Sequence, residues 1–90
     1  MALESTAADQ QLREALERGF SAIREELART FVLAGLTRAR ARKFATLVVS
    51  AYEGALLQAR IAGDLKPAKD TIDLLLEMLR GEVQVERSKT

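Results

Sequence analysis

The sequence predicts an all-α protein built from three antiparallel helices. Apolar residues recur at the three- and four-residue spacing of a helix in three stretches, at about residues 7–34, 38–62 and 67–80. Gly35 and Gly63 stand after the first two stretches, where glycine commonly ends a helix, and Pro67 stands where proline favours a helix start. We therefore assign one helical domain to residues 1–80. The charged residues 81–90 are expected to form a flexible tail after Gly81 closes the third helix.

The first helix carries a narrow apolar stripe on an otherwise polar surface. Its members are spaced alternately by four and three residues, and the stripe is about 100° wide, as in a helix that packs on one side only. They are Leu12, Leu16, Phe20, Ile23, Leu27, Phe31 and Ala34. Thr37 is a good N-cap for the helix that follows, so the first two helices should form a hairpin.

The second helix is the element around which the chain is organised. From Arg38 to Ala62 it contains no proline and one glycine, Gly54. Its apolar arc is close to twice as wide as the stripe of an ordinary surface helix, so it should be covered on two sides. The third helix has an apolar arc of about 200°. Because three helices cannot cover both arcs, we expect two copies to pair these helices in an intermolecular four-helix bundle with two-fold symmetry.

Composition excludes several functions. The chain has no cysteine and no histidine, which removes thiol chemistry and the commonest general base and metal ligand. No catalytic constellation is present, so we expect neither an enzyme nor a cofactor or metal site. The formal net charge of +1 gives no bulk attraction to nucleic acid or to acidic membranes. Without a signal peptide or a membrane-spanning stretch, the expected location is cytoplasmic.

Four cations open the second helix: Arg38, Arg40, Arg42 and Lys43. They lie at the end of a helix that normally favours negative charge. One interpretation is a phosphate or nucleic-acid contact. The other is a solvated helix end, in part paired with glutamates of the first helix. The alternate spacing scatters the cations around the helix, which favours the second interpretation.

Small residues recur along the second helix at Ala51, Ala55 and Ala59, where they allow another helix to approach closely. Gln58 falls inside the apolar arc, and a buried amide needs hydrogen-bond partners. It has three possible environments: a symmetry mate, a ligand, or a wet edge of the interface.

The stretch from Phe44 to Leu79 contains short motifs in a fixed order: the small-apolar run into Glu53-Gly54-Ala55, then Ala59-Arg60, then the Gly63-Asp64 turn with Pro67 ahead of an apolar helix. With these motifs it resembles the C-terminal end of TetR-family transcriptional repressors, and most closely the LmrA/YxaF-type multidrug-responsive branch. Upstream stretches are similar as well: ALE at Ala2–Glu4, LREAL at Leu12–Leu16 and AGL at Ala34–Leu36.

This resemblance implies an all-α homodimer whose last two helices form the four-helix bundle and whose C-terminal domain binds small molecules. Matched by position, the interface residues would be Ala51, Ala55, Gln58, Ala59, Ile72, Leu75, Leu76 and Leu79. The residues nearer the ligand pocket would be Phe20, Ile23, Leu27, Phe44 and Leu47.

Family members also contain a helix-turn-helix and middle helices that wall the ligand pocket, and this sequence shows neither. DNA binding by this segment is therefore not expected. One hypothesis is that the chain is the ligand-sensing and dimerisation part of a repressor that responds to an apolar small molecule. The alternative is a stand-alone interaction module that self-associates, or that blocks a full-length regulator by forming a heterodimer with it.

Overall fold

In the computed structural model, which describes residues 7–89, three helices account for nearly the whole chain. They are α1 (Ala7–Ala34), α2 (Arg38–Ala62) and α3 (Lys66–Ser88). Two turns of three residues reverse the chain, and α1 and α3 both pack against α2. The predicted all-α, three-helix fold is confirmed. The Ala2–Glu4 stretch and the last residue of the predicted tail lie outside the described range.

The molecule is elongated. Its dimensions are 57 × 30 × 18 Å and its radius of gyration is 16.5 Å, against about 12 Å for a compact chain of this length. Residues 7–19 of α1 are all exposed, so α1 packs on the rest of the chain only from Phe20 onward. The N-terminal half of α1 therefore extends past the part of the molecule that has a core.

Local backbone chemistry sets both turns. Gly35 adopts φ of 119°, and the N–H groups of Gly35 and Leu36 donate to the carbonyls of Val32 and Phe31, which satisfies the free end of α1. Thr37 caps α2 by accepting a hydrogen bond from the Arg40 backbone N–H at 3.2 Å, as its position predicts.

The second turn is also formed by a glycine with positive φ, followed by a side-chain hydrogen bond at the start of the next helix. Gly63 adopts a left-handed conformation with φ of 68° and donates to the Ala59 carbonyl. The Asp64 carboxylate then accepts from the Lys66 backbone N–H at 2.9 Å. The third helix consequently begins one residue before Pro67.

The core lies at the end of the molecule where α1 turns into α2. It consists of Phe31, Leu36, Ala41, Phe44 and Ala45. The rings of Phe31 and Phe44 meet edge to face, with centroids 5.2 Å apart and an interplanar angle of 87°. Ala41 and Ala45 are fully buried, because their small side chains let the neighbouring helices approach α2 closely.

The predicted end of α3 is wrong. The helix passes through Gly81 and continues to Ser88, where the sequence suggested a stop near Arg80 and a tail. A glycine inside a helix costs only about 1 kcal/mol relative to alanine. Leu79 and Val83 pack against the Phe31–Phe44 cluster, and this burial outweighs that cost.

One ion pair joins α2 to the extended part of α3. The Arg40 guanidinium donates to both carboxylate oxygens of Glu82, with Nη2 to Oε1 at 2.6 Å and Nε to Oε2 at 3.1 Å. Because these hydrogen bonds favour the ionised carboxylate, they hold the pKa of Glu82 below its ordinary value, against an opposing contribution from desolvation. The pair links two helices through residues that are 42 positions apart in the chain.

We predict that Phe44→Ala destabilises the chain by about 3–5 kcal/mol, because it removes a buried ring and leaves a cavity. That is a large share of the stability of any small domain. Urea unfolding followed by circular dichroism, at one fixed protein concentration, measures the loss. Leu33→Ala is the matched control, since Leu33 is 89% exposed. A loss below about 1 kcal/mol for Phe44→Ala would contradict the assigned core.

We predict that Glu82→Gln lowers the melting temperature at neutral pH and weakens its dependence on acid. A carboxylate with a lowered pKa stabilises the fold fully above the ordinary glutamate pKa of about 4.3, and this stabilisation disappears as the pH falls through the lower folded-state pKa. Melting curves between neutral pH and strong acid test this. The control is Glu26→Gln, whose pair with Arg29 is 72% exposed on both sides. If the melting temperatures of the wild type and Glu82→Gln depend on pH in the same way, the ion pair does not stabilise the fold.

A candidate self-association face and an apolar groove

The chain buries little of its apolar surface. Of the eight buried hydrophobic residues among those described, five are alanines, so large side chains contribute few members to the core. The chain exposes 7249 Å², whereas a compact monomer of its mass exposes about 5200 Å². Many large apolar side chains are among the exposed residues, and contiguous exposed apolar patches mark interaction sites.

On α3 the exposed apolar residues fall on two sides of its contact with α2. Ile72, Leu76, Leu79 and Val83 follow one another at spacings of four, three and four, which places them on one stripe. Leu79 and Val83 pack on the cluster that contains Phe31 of α1. This stripe therefore lies on the side of the molecule that α1 occupies.

The other side of α3 carries a second stripe, made of Leu74, Met78, Gly81 and Val85 at the same spacing. Leu74, Met78 and Val85 are 56%, 42% and 55% exposed. Because this stripe flanks the α2 contact on the side opposite Val83, it faces away from α1.

A matching stripe runs along α2, with spacings of four, three, four and three. It consists of Leu47, Ala51, Gly54, Gln58 and Ile61. Leu47 lies nine residues after Arg38, and Ala51 lies nine residues after Arg42. Nine residues correspond to half a turn around the helix, so each points away from its arginine. Arg38 and Arg42 line a groove shared with α1, so this stripe also faces away from α1. We call the α2 and α3 stripes together the outer face.

The predicted interface residues do not share one environment in the structure. Ala51 and Gln58 lie on the outer face. Ala55 and Ala59 are 2% and 7% exposed within the single chain, so they have almost no surface left for a second copy.

The α3 members of the predicted set also differ in position. Leu75 and Leu79 are half-buried, and Ile72 and Leu76, on the same stripe as Leu79, are exposed. The predicted interface set omits Leu74, Met78 and Val85, which belong to the outer face. Their spacing was a usable signal, but ending the helix at Arg80 removed Val85 from the pattern.

Three of the five predicted ligand-pocket residues line one groove. Phe20, Ile23 and Leu27 of α1 face α2 across an open groove of about 440 Å³. The α2 side of this groove is formed by Val48, Val49, Tyr52, Glu53, Leu56, Leu57 and Arg60. Phe44 and Leu47 do not line it: the Phe44 ring is buried against Phe31, and Leu47 lies on the outer face.

The groove is apolar in its floor and polar at its edge. Tyr52 is 45% exposed, and Glu53 and Arg60 supply a carboxylate and a guanidinium. A small molecule in this groove would therefore meet aliphatic and aromatic side chains and a few polar groups, the usual composition of a ligand site. Among residues 7–89 we find no cluster of carboxylates able to hold a metal ion.

Comparison with protein families shows to which family the chain belongs. A family model described as the C-terminal domain of LmrA/YxaF-like transcriptional regulators matches residues 1–73. The chain belongs to the TetR family. The TetR-family resemblance that the sequence motifs carried is thus confirmed, and residues 74–90 lie beyond the match. No curated protein and no solved structure matches the chain. Within the described part of this TetR-family domain, no helix is sufficiently long and apolar to span a membrane.

Proposed function

We propose that this TetR-family domain is the dimerisation and ligand-sensing part of a transcriptional repressor. The observation that carries the proposal is the outer face, in which two apolar stripes with four- and three-residue spacing run side by side on neighbouring helices. Stripes of this spacing are what two helices present in a four-helix bundle. Two copies meeting through this face would bury both pairs of stripes about a two-fold axis.

The exposed area agrees with this assembly. A stable interface buries about 800 Å² on each partner, and the chain exposes roughly 2000 Å² more than a compact monomer of its size would, part of it along residues 7–19 of α1. Small residues at the centre of each stripe, Gly54 on α2 and Gly81 on α3, allow close helix approach. The polar Gln58 lies within the α2 stripe, where an amide can hydrogen-bond to a partner across the axis.

The groove lined by Phe20, Ile23 and Leu27 is the proposed effector contact. Its volume of about 440 Å³ falls in the range of about 300–1000 Å³ that small-molecule sites occupy. An apolar effector would pack between α1 and α2, and Tyr52 would supply a hydroxyl at the edge. Because α2 also carries half of the outer face, a ligand that moves α1 against α2 acts on the helix that forms the dimer. The proposal assigns no DNA contact to this segment.

Gly54→Glu is expected to convert a dimer into a folded monomer. A Cβ at Gly54 meets no atom within 4 Å inside the chain, so the monomer accommodates the substitution. In the dimer it would place a charge in an apolar interface, at a large cost. Light scattering on a gel-filtration column over a dilution series reports the mass, and circular dichroism reports the helix content.

The matched control is Gly19→Glu, at a mid-helix glycine of α1 that likewise meets no atom within 4 Å. It should leave the dimer intact. A monomeric wild type at all concentrations, or a Gly54→Glu variant that dimerises as tightly as Gly19→Glu, would exclude the proposed interface. Ala55→Glu is unsuitable for this test, since Ala55 is buried in the chain itself.

Ile23→Gln is expected to weaken the binding of a neutral apolar probe by about tenfold, because one or two lost apolar contacts are worth about 1–3 kcal/mol. Nile red fluorescence measures this directly. Leu12→Gln is the control, since Leu12 is 60% exposed and lines neither this groove nor the one that contains Arg38 and Arg42. If both variants bind Nile red as the wild type does, the groove is not the effector contact.

A further inference from the structure

A second groove lies between the C-terminal half of α1 and the N-terminal half of α2. Its volume is about 690 Å³, and it shares no lining residue with the apolar groove. Its walls are formed by Ser21, Arg24, Glu25, Ala28, Arg29, Val32 and Leu33 of α1 and by Arg38, Arg42 and Thr46 of α2. We propose that this groove binds a small organic anion with an aromatic or otherwise flat apolar body.

The charge of the groove supports an anionic ligand. Four arginines line it, two from each helix, and only one glutamate accompanies them. Arginine presents a planar fork of donors that matches a carboxylate or a phosphate group. A groove with this excess of one charge attracts ligands of the opposite sign.

The arginines from α2 are available. Within the described part of the chain, neither Arg38 nor Arg42 forms an ion pair or a side-chain hydrogen bond. No glutamate of α1 within the described range is therefore paired with either arginine. They stand one turn apart near the positive end of α2, where both their mutual repulsion and the helix dipole favour a bound anion.

The two arginines from α1 form ion pairs, but these pairs are weak. Arg24 pairs with Glu17 at 2.9 Å and Arg29 pairs with Glu26 at 2.6 Å. Both glutamates are at least 70% exposed, and exposed pairs of this kind are worth little, so a ligand can redirect either guanidinium.

The apolar lining of the groove indicates what the uncharged part of the ligand must be. Ala28, Val32 and Leu33 provide an apolar surface beside the arginines. Arginine side chains also stack on aromatic rings. A groove of this volume matches a single small molecule, so a free organic anion accounts for both the charge and the floor.

This site is independent of the proposed dimer. Arg38 and Arg42 lie half a turn around α2 from Leu47 and Ala51 of the outer face. The groove is complete within one chain. The Gly54→Glu variant should therefore bind the anion as well as the wild type does, which separates a failure of this proposal from a failure of the proposed dimer.

The test compares 2-naphthoate with its neutral analogue 2-naphthamide by isothermal titration calorimetry. We expect 2-naphthoate to bind at least about tenfold more tightly than the amide, with an affinity that falls as salt is added. The double variant Arg38→Gln/Arg42→Gln should lose about tenfold or more in affinity for 2-naphthoate, because each charge-assisted hydrogen bond contributes substantially. The control is Arg13→Gln/Arg18→Gln, which removes the same charge from α1 outside both grooves.

Three results would overturn the proposal. The amide would bind as tightly as the acid, or the Arg38→Gln/Arg42→Gln variant would bind 2-naphthoate unchanged. Alternatively, both double variants would lose affinity equally, which would make the attraction a property of net charge and not of this groove. Circular dichroism of each variant, compared with the wild type, establishes that the changes arise in a folded protein.

Discussion

The rest of this structure depends on the edge-to-face contact between Phe31 and Phe44. It joins α1 to α2 directly beside the first turn, and the end of α3 closes over the same cluster through Leu79 and Val83. All three helices therefore share one small core at one end of the molecule. Away from that end, the buried positions are alanines, which hold the helices close but contribute little burial of their own.

A chain organised in this way leaves its apolar surface for other uses. Because the core is confined to one end, α2 and α3 present an uncovered apolar face on the side away from α1, and α1 leaves a groove against α2 on its own side. Under the proposed function, the first surface receives a second copy of the chain and the second receives a ligand. The central position of α2 connects them physically, since a displacement of this helix changes both.

The arginines at the start of α2 also lie on different sides of the helix. Arg40 is committed to the fold through Glu82, while Arg38 and Arg42, on another side of the helix, face an arginine-lined groove and have no carboxylate partner within the described residues. The sequence favours, of two interpretations, a solvated helix end partly paired with glutamates of the first helix for all four cations. In the structure Arg40 forms an ion pair within the fold, whereas Arg38 and Arg42 have no ion-pair partner among the described residues. The difference arises because residues two apart on a helix point about 200° apart.

The sequence by itself determined the helices, their two turns and the family. These follow from short-range effects: apolar period, glycine at Gly35 and Gly63, and capping by Thr37. Tertiary structure alone decided the end of α3 and which side of each helix is left uncovered within the chain. A helical wheel gives directions around one axis but not where the neighbouring axes lie. For that reason Ala55, which the sequence assigned to the interface, is buried between helices of its own chain, while Leu74 and Met78 stand exposed.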